Sequence, residues 1–127
     1  MEPGTTEPMM HIGELADRTE LSLRTIRHYD EVGLLKPSGR TEGGFRLYTE
    51  SDFSRLILIR RMKPLGFSLE EMGELLRIIS VLDKRDDPEL QAALSRFIEQ
   101  ATEQRQKLQR QLDMTDEFLT LLRDQQD

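Results

Sequence analysis

Arg27 and His28 follow Arg24 by three and four residues, the spacing that gathers side chains on one face of a helix. Two guanidinium forks and an imidazole on a common exposed face can grip phosphate oxygens or the acceptor edge of guanine in two-point fashion. At about 100° per residue, Leu23, Ile26 and Asp30 gather about a third of a turn away. The pattern predicts that Ile26 faces a core and the arginines face out. An ordinary surface helix with solvated charges has the same pattern, so residues further along the chain must decide between the two. Past Gly43-Gly44, Phe45 and Leu47 alternate with Arg46 and Tyr48, which reads as a strand leaving a tight turn. Arg46 and Tyr48 would share one face, offering a cation and a phenol hydroxyl to phosphate oxygens.

The surrounding chain has the elements needed to hold those groups. Ile12, Leu15 and Ala16 lie at helical spacing, a polar break comes at Arg18-Thr19-Glu20, and Ser22 stands where a second helix needs its N-cap. Two short helices joined so tightly make a helix-turn-helix. Gly33 to Pro37 ends the second helix, and Gly39 to Tyr48 forms a loop and hairpin beside it, a wing. Thr49, with Asp52 three residues on, caps a third helix whose Phe53, Leu56, Ile57, Leu58 and Ile59 call for burial; Pro64 and Gly66 end it. Arg55, Arg60, Arg61 and Lys63 on this helix read as a solvated face. Ser68 and Glu71 form a capping box for a fourth helix with a core stripe of Leu69, Met72, Leu75, Leu76, Ile79 and Leu82.

Asp83 to Asp87 is a polar break, with Asp87 as N-cap and Pro88 at the first helical position. No helix breaker comes before about Gln125, so a rod of about 57 Å is expected. Leu90, Leu94, Phe97 and Ala101, then Leu108, Leu112, Thr115, Leu119 and Leu122, keep coiled-coil spacing with a shift of column between the two runs. One apolar stripe on a long helix must be buried, and a second copy of the chain is the simplest cover.

Four blocks stand in order and register: Ile12-Gly13-Glu14-Leu15-Ala16, Thr25 to Leu35, Gly44-Phe45-Arg46-Leu47-Tyr48, and Leu65 to Glu71. Together they resemble the MerR family of bacterial transcriptional regulators across about Met10 to Leu76. The resemblance implies a mainly α protein: a winged helix-turn-helix head and a long C-terminal dimerisation helix that pairs as an antiparallel coiled coil. The expected division is a disordered leader over residues 1–9, a DNA-binding domain over 10–82 and a dimerisation helix over 88–125. The resemblance also implies a homodimer on double-stranded promoter DNA, regulating transcription by distorting the promoter so that RNA polymerase can engage it. Candidate DNA contacts are Arg24, Thr25, Arg27, His28, Tyr29, Arg46 and Tyr48, with His28 either donating to DNA or lying inertly beside Tyr29. Candidate dimer contacts are Leu90, Leu94, Phe97, Ala101, Leu108, Leu112, Leu119 and Leu122. The family usually has glycine where this chain has Glu20, which must therefore take up a turn conformation at modest cost.

Composition narrows the functions. The absence of cysteine excludes disulfides, thiolate metal sites and thiol switches. His11 and His28 are the only imidazoles and no carboxylates cluster with them in sequence, so no metal and no cofactor are expected. No nucleophile-base pair or phosphate loop suggests an enzyme. Without a membrane-length apolar run or a secretion signal, the cytoplasm is the expected location. The net charge of −6 is unevenly spread: residues 10–66 carry ten bases against eight acids, a net +2, and residues 67–127 eight bases against fourteen acids, a net −6. The basic excess thus lies in the head, while the acidic remainder would repel DNA. A second reading is an architectural or adaptor module that binds DNA or a protein without acting on initiation. Any small ligand would have to use the long helix near Phe97, Met114 and Phe118.

Overall fold

The computed structural model describes residues 8–126. The elements run β1 (Met10–His11), α1 (Ile12–Thr19), α2 (Leu23–Glu31), β2 (Gly39–Arg40), β3 (Arg46–Tyr48), α3 (Glu50–Met62), a 3-10 turn (Lys63–Leu65), α4 (Leu69–Leu82) and α5 (Pro88–Asp124). The chain divides into two compact units within α4, between Leu76 and Arg77. Sequence alone puts the boundary at the polar break beyond Leu82, because a single unbroken helix gives no signal of where its contacts change hands.

In the first unit, the head, the starts of α2, α3 and α4 are chemically marked. Ser22 accepts from the Thr25 backbone at 3.0 Å. Thr49 and Asp52 form a reciprocal capping box, as do Ser68 and Glu71, at 2.8 and 3.1 Å. Such caps satisfy backbone N–H groups that a helix leaves without partners. The α1–α2 turn passes through Glu20 at φ 60°, ψ 28°, with its N–H on the Ala16 carbonyl. It is the one non-glycine residue at positive φ among the described residues, as the departure from glycine implies. Glu20 is also paired with Arg60 of α3 at 2.9 Å. Leu15, Ile26, Tyr48, Leu56 and Ile59 are fully enclosed and form the centre of the head core.

The wing is larger than a hairpin. Its sheet has the order β1-β3-β2, all antiparallel, with Met10 opposite Tyr48 and Gly39 opposite Leu47. The β2–β3 turn closes through Gly44 N–H on the Thr41 carbonyl at 2.9 Å, with Gly44 at φ 85°, a conformation that favours glycine. The leader expected over residues 1–9 falls, for residues 1–7, outside the described residues. Met9 belongs to the wing, its side chain lying against Gly39, and Met10 is buried in β1.

In the second unit α5 opens on Asp87, whose carboxylate accepts from the Leu90 backbone at 3.2 Å, with Pro88 as first residue. Its 37 residues span about 56 Å. Of the expected dimer contacts, Leu90, Leu94, Phe97 and Ala101 are half-buried, whereas Leu108, Leu112, Leu119 and Leu122 are exposed. Ile98, Met114, Phe118 and Leu121 are exposed as well, so the uncovered apolar face is wider than the single seam the spacing predicts. No described helix is long and apolar enough to cross a membrane.

Candidate nucleic-acid interface

Helix α2 divides as its periodicity predicts. Ile26 is fully buried and Asp30 nearly so, while Arg24, Arg27 and His28 are exposed. Among the described residues neither Arg24 nor Arg27 makes an ion pair, so both guanidinium forks are free for a ligand. Thr25 is half-buried, its hydroxyl engaged with that of Ser22 at 2.8 Å. Tyr29 is a buried residue, and its carbonyl accepts from Leu34 and Leu35 at 2.8 and 3.1 Å, closing the end of the helix. The His28 ring lies beside that of Tyr29, centroids 6.2 Å apart and tilted 44°.

Asp30 joins this helix to the wing. Its carboxylate accepts from Arg46 Nε at 2.8 Å and from an Arg40 Nη at 3.4 Å, with Lys36 Nζ at 3.7 Å. Arg40 also donates to the Gly44 carbonyl at 3.0 Å, so one side chain braces the turn and the carboxylate together. The Arg46 hydrogen bond is the main reason that the Asp30 carboxyl lies below the usual carboxylate range, and Asp30 in turn raises Arg46. A second buried carboxylate, Asp52, fastens the far side, accepting from the Ser38 hydroxyl at 2.6 Å and the Thr49 N–H at 2.9 Å.

Arg46 and Tyr48 share one face of β3 as expected, but burial separates them: Arg46 stays part-exposed while Tyr48 is enclosed. Tyr48 is fully buried, and its hydroxyl has no hydrogen-bond partner among the described residues; burial pushes the phenol pKa up. Strand alternation sets which residues share a face, not which face is out. The wing's exposed aromatic side chain is Phe45, at 69%. Arg46 keeps a side-chain exposure of 25%. Its contact with Asp30 uses Nε, and its two Nη nitrogens make no hydrogen bond among the described residues.

Sequence reasoning passes over Asp30, Lys36 and Arg40. The available signal is an acid on the apolar side of α2, since a buried carboxylate requires a cationic partner. On the flank, Arg18 pairs with Glu50 and lies 4.1 Å over the Phe53 ring, so it is largely engaged in holding α1 to α3. Among the described residues no three His, Asp or Glu side chains group as a metal site.

The arrangement has close counterparts. Residues 10–78 match the family model described as MerR HTH family regulatory protein, and residues 53–118 the one described as MerR, DNA binding. The HTH-type transcriptional regulator ZntR of Escherichia coli strain K12 is 52% identical over 81 residues, which are 64% of this chain and 53% of ZntR. The chain thus spans about half the length of that relative. CueR of Salmonella typhimurium strain LT2 is 34% identical over 114 residues, 88% of this chain and 78% of CueR. Among solved structures, that of HiNmlR, a MerR family regulator lacking the sensor domain and bound to promoter DNA, superposes with a TM-score of 0.72 at 28% identity, covering 92% of each chain. With a buried-carboxylate wing behind an arginine-faced helix, and with the family model matched over more than half its length, this chain belongs to the MerR family of helix-turn-helix regulators.

Proposed function

We propose that the protein is a sequence-specific transcription regulator that binds double-stranded promoter DNA as a homodimer. The observation that carries this reading is the face of α2, where Arg24 and Arg27 are exposed and without ion pairs while Ile26 and Tyr29 hold the helix from its buried side. Such a face fits the major groove, where arginine reads guanine edges or clamps phosphate. Thr25, His28 and the outer edge of Arg46 extend the contact set; Tyr29 and Tyr48 act from inside, by shaping the helix end and the wing.

Two copies joined through Leu90, Leu94, Phe97, Ala101, Leu108, Leu112, Leu119 and Leu122 of α5 would present two heads to two half-sites. Binding both at once can offset the cost of bending and untwisting the intervening DNA, roughly 1–6 kcal/mol on elastic estimates. That deformation is the proposed route to regulation, by aligning promoter elements for RNA polymerase. The bound-DNA structure of HiNmlR supports the same reading.

The test is a footprint on duplex DNA from upstream of the protein's own gene, with and without RNA polymerase. Protection between the two promoter elements with hypersensitive bases inside it is expected; the absence of any discrete footprint would remove the proposal in favour of an adaptor role. Arg24→Ala and Arg27→Ala should each weaken binding by about 1–3 kcal/mol if they read bases, or flatten the salt dependence by about one unit of slope if they hold phosphate.

A further inference from the structure

Asp30 is a carboxylate set beside the proposed phosphate-binding surface, where plain electrostatics would disfavour it. Removing a negative charge from a surface that meets a polyanion should tighten binding. The geometry points the other way. Asp30 holds Arg46 through Nε alone at 2.8 Å and Arg40 through a single Nη at 3.4 Å, and a guanidinium has five N–H donors in a rigid plane. The edge of Arg46 turned from Asp30 has no partner among the described residues and remains part-exposed. Arg40 is anchored a second time on the Gly44 carbonyl. Both side chains therefore have a partner within the protein before any ligand arrives, on the wing strands adjoining α2.

We infer that Asp30 is a positioning residue for DNA binding: it holds Arg46 through Nε and Arg40 through one Nη so that their remaining N–H groups meet the phosphate backbone in register with Arg24 and Arg27. This rests on the DNA-binding reading. Asp30 itself touches no DNA. Its contribution is to remove the rotamer freedom that a long cationic side chain would otherwise lose on binding, and to couple the wing to α2 so that a half-site is gripped in both places at once.

The test compares the full-length wild type, Asp30→Asn and Arg46→Lys on the fluorescently labelled upstream duplex, over a salt series, with thermal unfolding run in parallel. Asp30→Asn should bind about tenfold more weakly, the consequence of immobilising two freed side chains, with a shallower salt dependence despite having one negative charge fewer. Arg46→Lys keeps the charge and leaves the ion pair with Asp30 available, but a single ammonium cannot serve Asp30 and phosphate by separate edges. It too should lose about tenfold, with its melting temperature close to that of the wild type. Tighter binding by Asp30→Asn with a steeper salt dependence, or wild-type affinity in a folded Arg46→Lys, overturns the inference while leaving the DNA-binding reading in place. Should Asp30→Asn fail to fold, Arg46→Lys decides alone. A wild type that shows no salt-dependent binding to the duplex overturns both.

Discussion

At the scale of single residues, the two tyrosines separate what periodicity can say from what it cannot. Alternation places Tyr48 on the same face of the strand as Arg46 without saying which way that face turns, and Tyr48 is fully enclosed, its hydroxyl without a partner among the described residues. A buried hydroxyl left unbonded costs about 1–3 kcal/mol, so Tyr48→Phe should leave the head equally stable or raise its stability by about 1 kcal/mol in a denaturant titration. A loss of that size would mean that the phenol is bonded after all. Cap residues are legible because they act on their own helix within three positions: Ser22, Thr49 with Asp52, Ser68 with Glu71, and Asp87 all cap as expected. The partners of Asp30 are not, because Arg40 and Arg46 lie 10 and 16 residues further on and meet it only once the wing has docked.

At the scale of elements, the wing is held by charge on one side and by a capping carboxylate on the other. The Asp30 carboxyl is lowered in the folded protein, chiefly by its hydrogen bond from Arg46. A lowered folded value means that the contribution of the Asp30–Arg46 tie is complete above the ordinary unfolded aspartate pKa, about 3.9. It is lost as pH falls through the lower folded value. The difference in melting temperature between the wild type and Asp30→Asn should therefore stay constant from neutrality to about pH 5 and shrink below about pH 4. A difference that instead narrows between about pH 8 and about pH 6 would place the titration on an imidazole and not on Asp30. Helix positions and boundaries come from caps and breakers; the third wing strand does not, since Met10-His11 is too short to show alternation and is a strand only because β3 offers it an edge.

At the scale of the whole molecule, charge and apolar surface are segregated along the chain. Residues 10–66 carry a net charge of +2 and residues 67–127 one of −6, which suits a protein that approaches a polyanion with one part only. The length of α5 is legible from the lack of breakers, but the breadth of its apolar face is not, because heptad spacing selects one column and passes over Ile98, Met114, Phe118 and Leu121. If Leu112 lies in the seam of the proposed dimer, Leu112→Asp buries a charge there and should weaken association by at least about 2 kcal/mol, roughly thirtyfold in dissociation constant. Sedimentation would report it as a shift toward monomer at micromolar concentration, with the melting of the head unchanged; an undisturbed dimer would move the seam elsewhere on the helix.

The placement of the aromatic residues also makes the protein its own optical probe. There is no tryptophan, and the chain has two tyrosines, Tyr29 on α2 and Tyr48 on β3, both enclosed in the head. Ultraviolet emission from the phenol rings therefore reports on the head alone and is blind to the 37 residues of α5, whereas far-ultraviolet circular dichroism is dominated by helix wherever it lies. Recorded on one unlabelled sample, the two signals distinguish loss of the winged head from loss of the long helix.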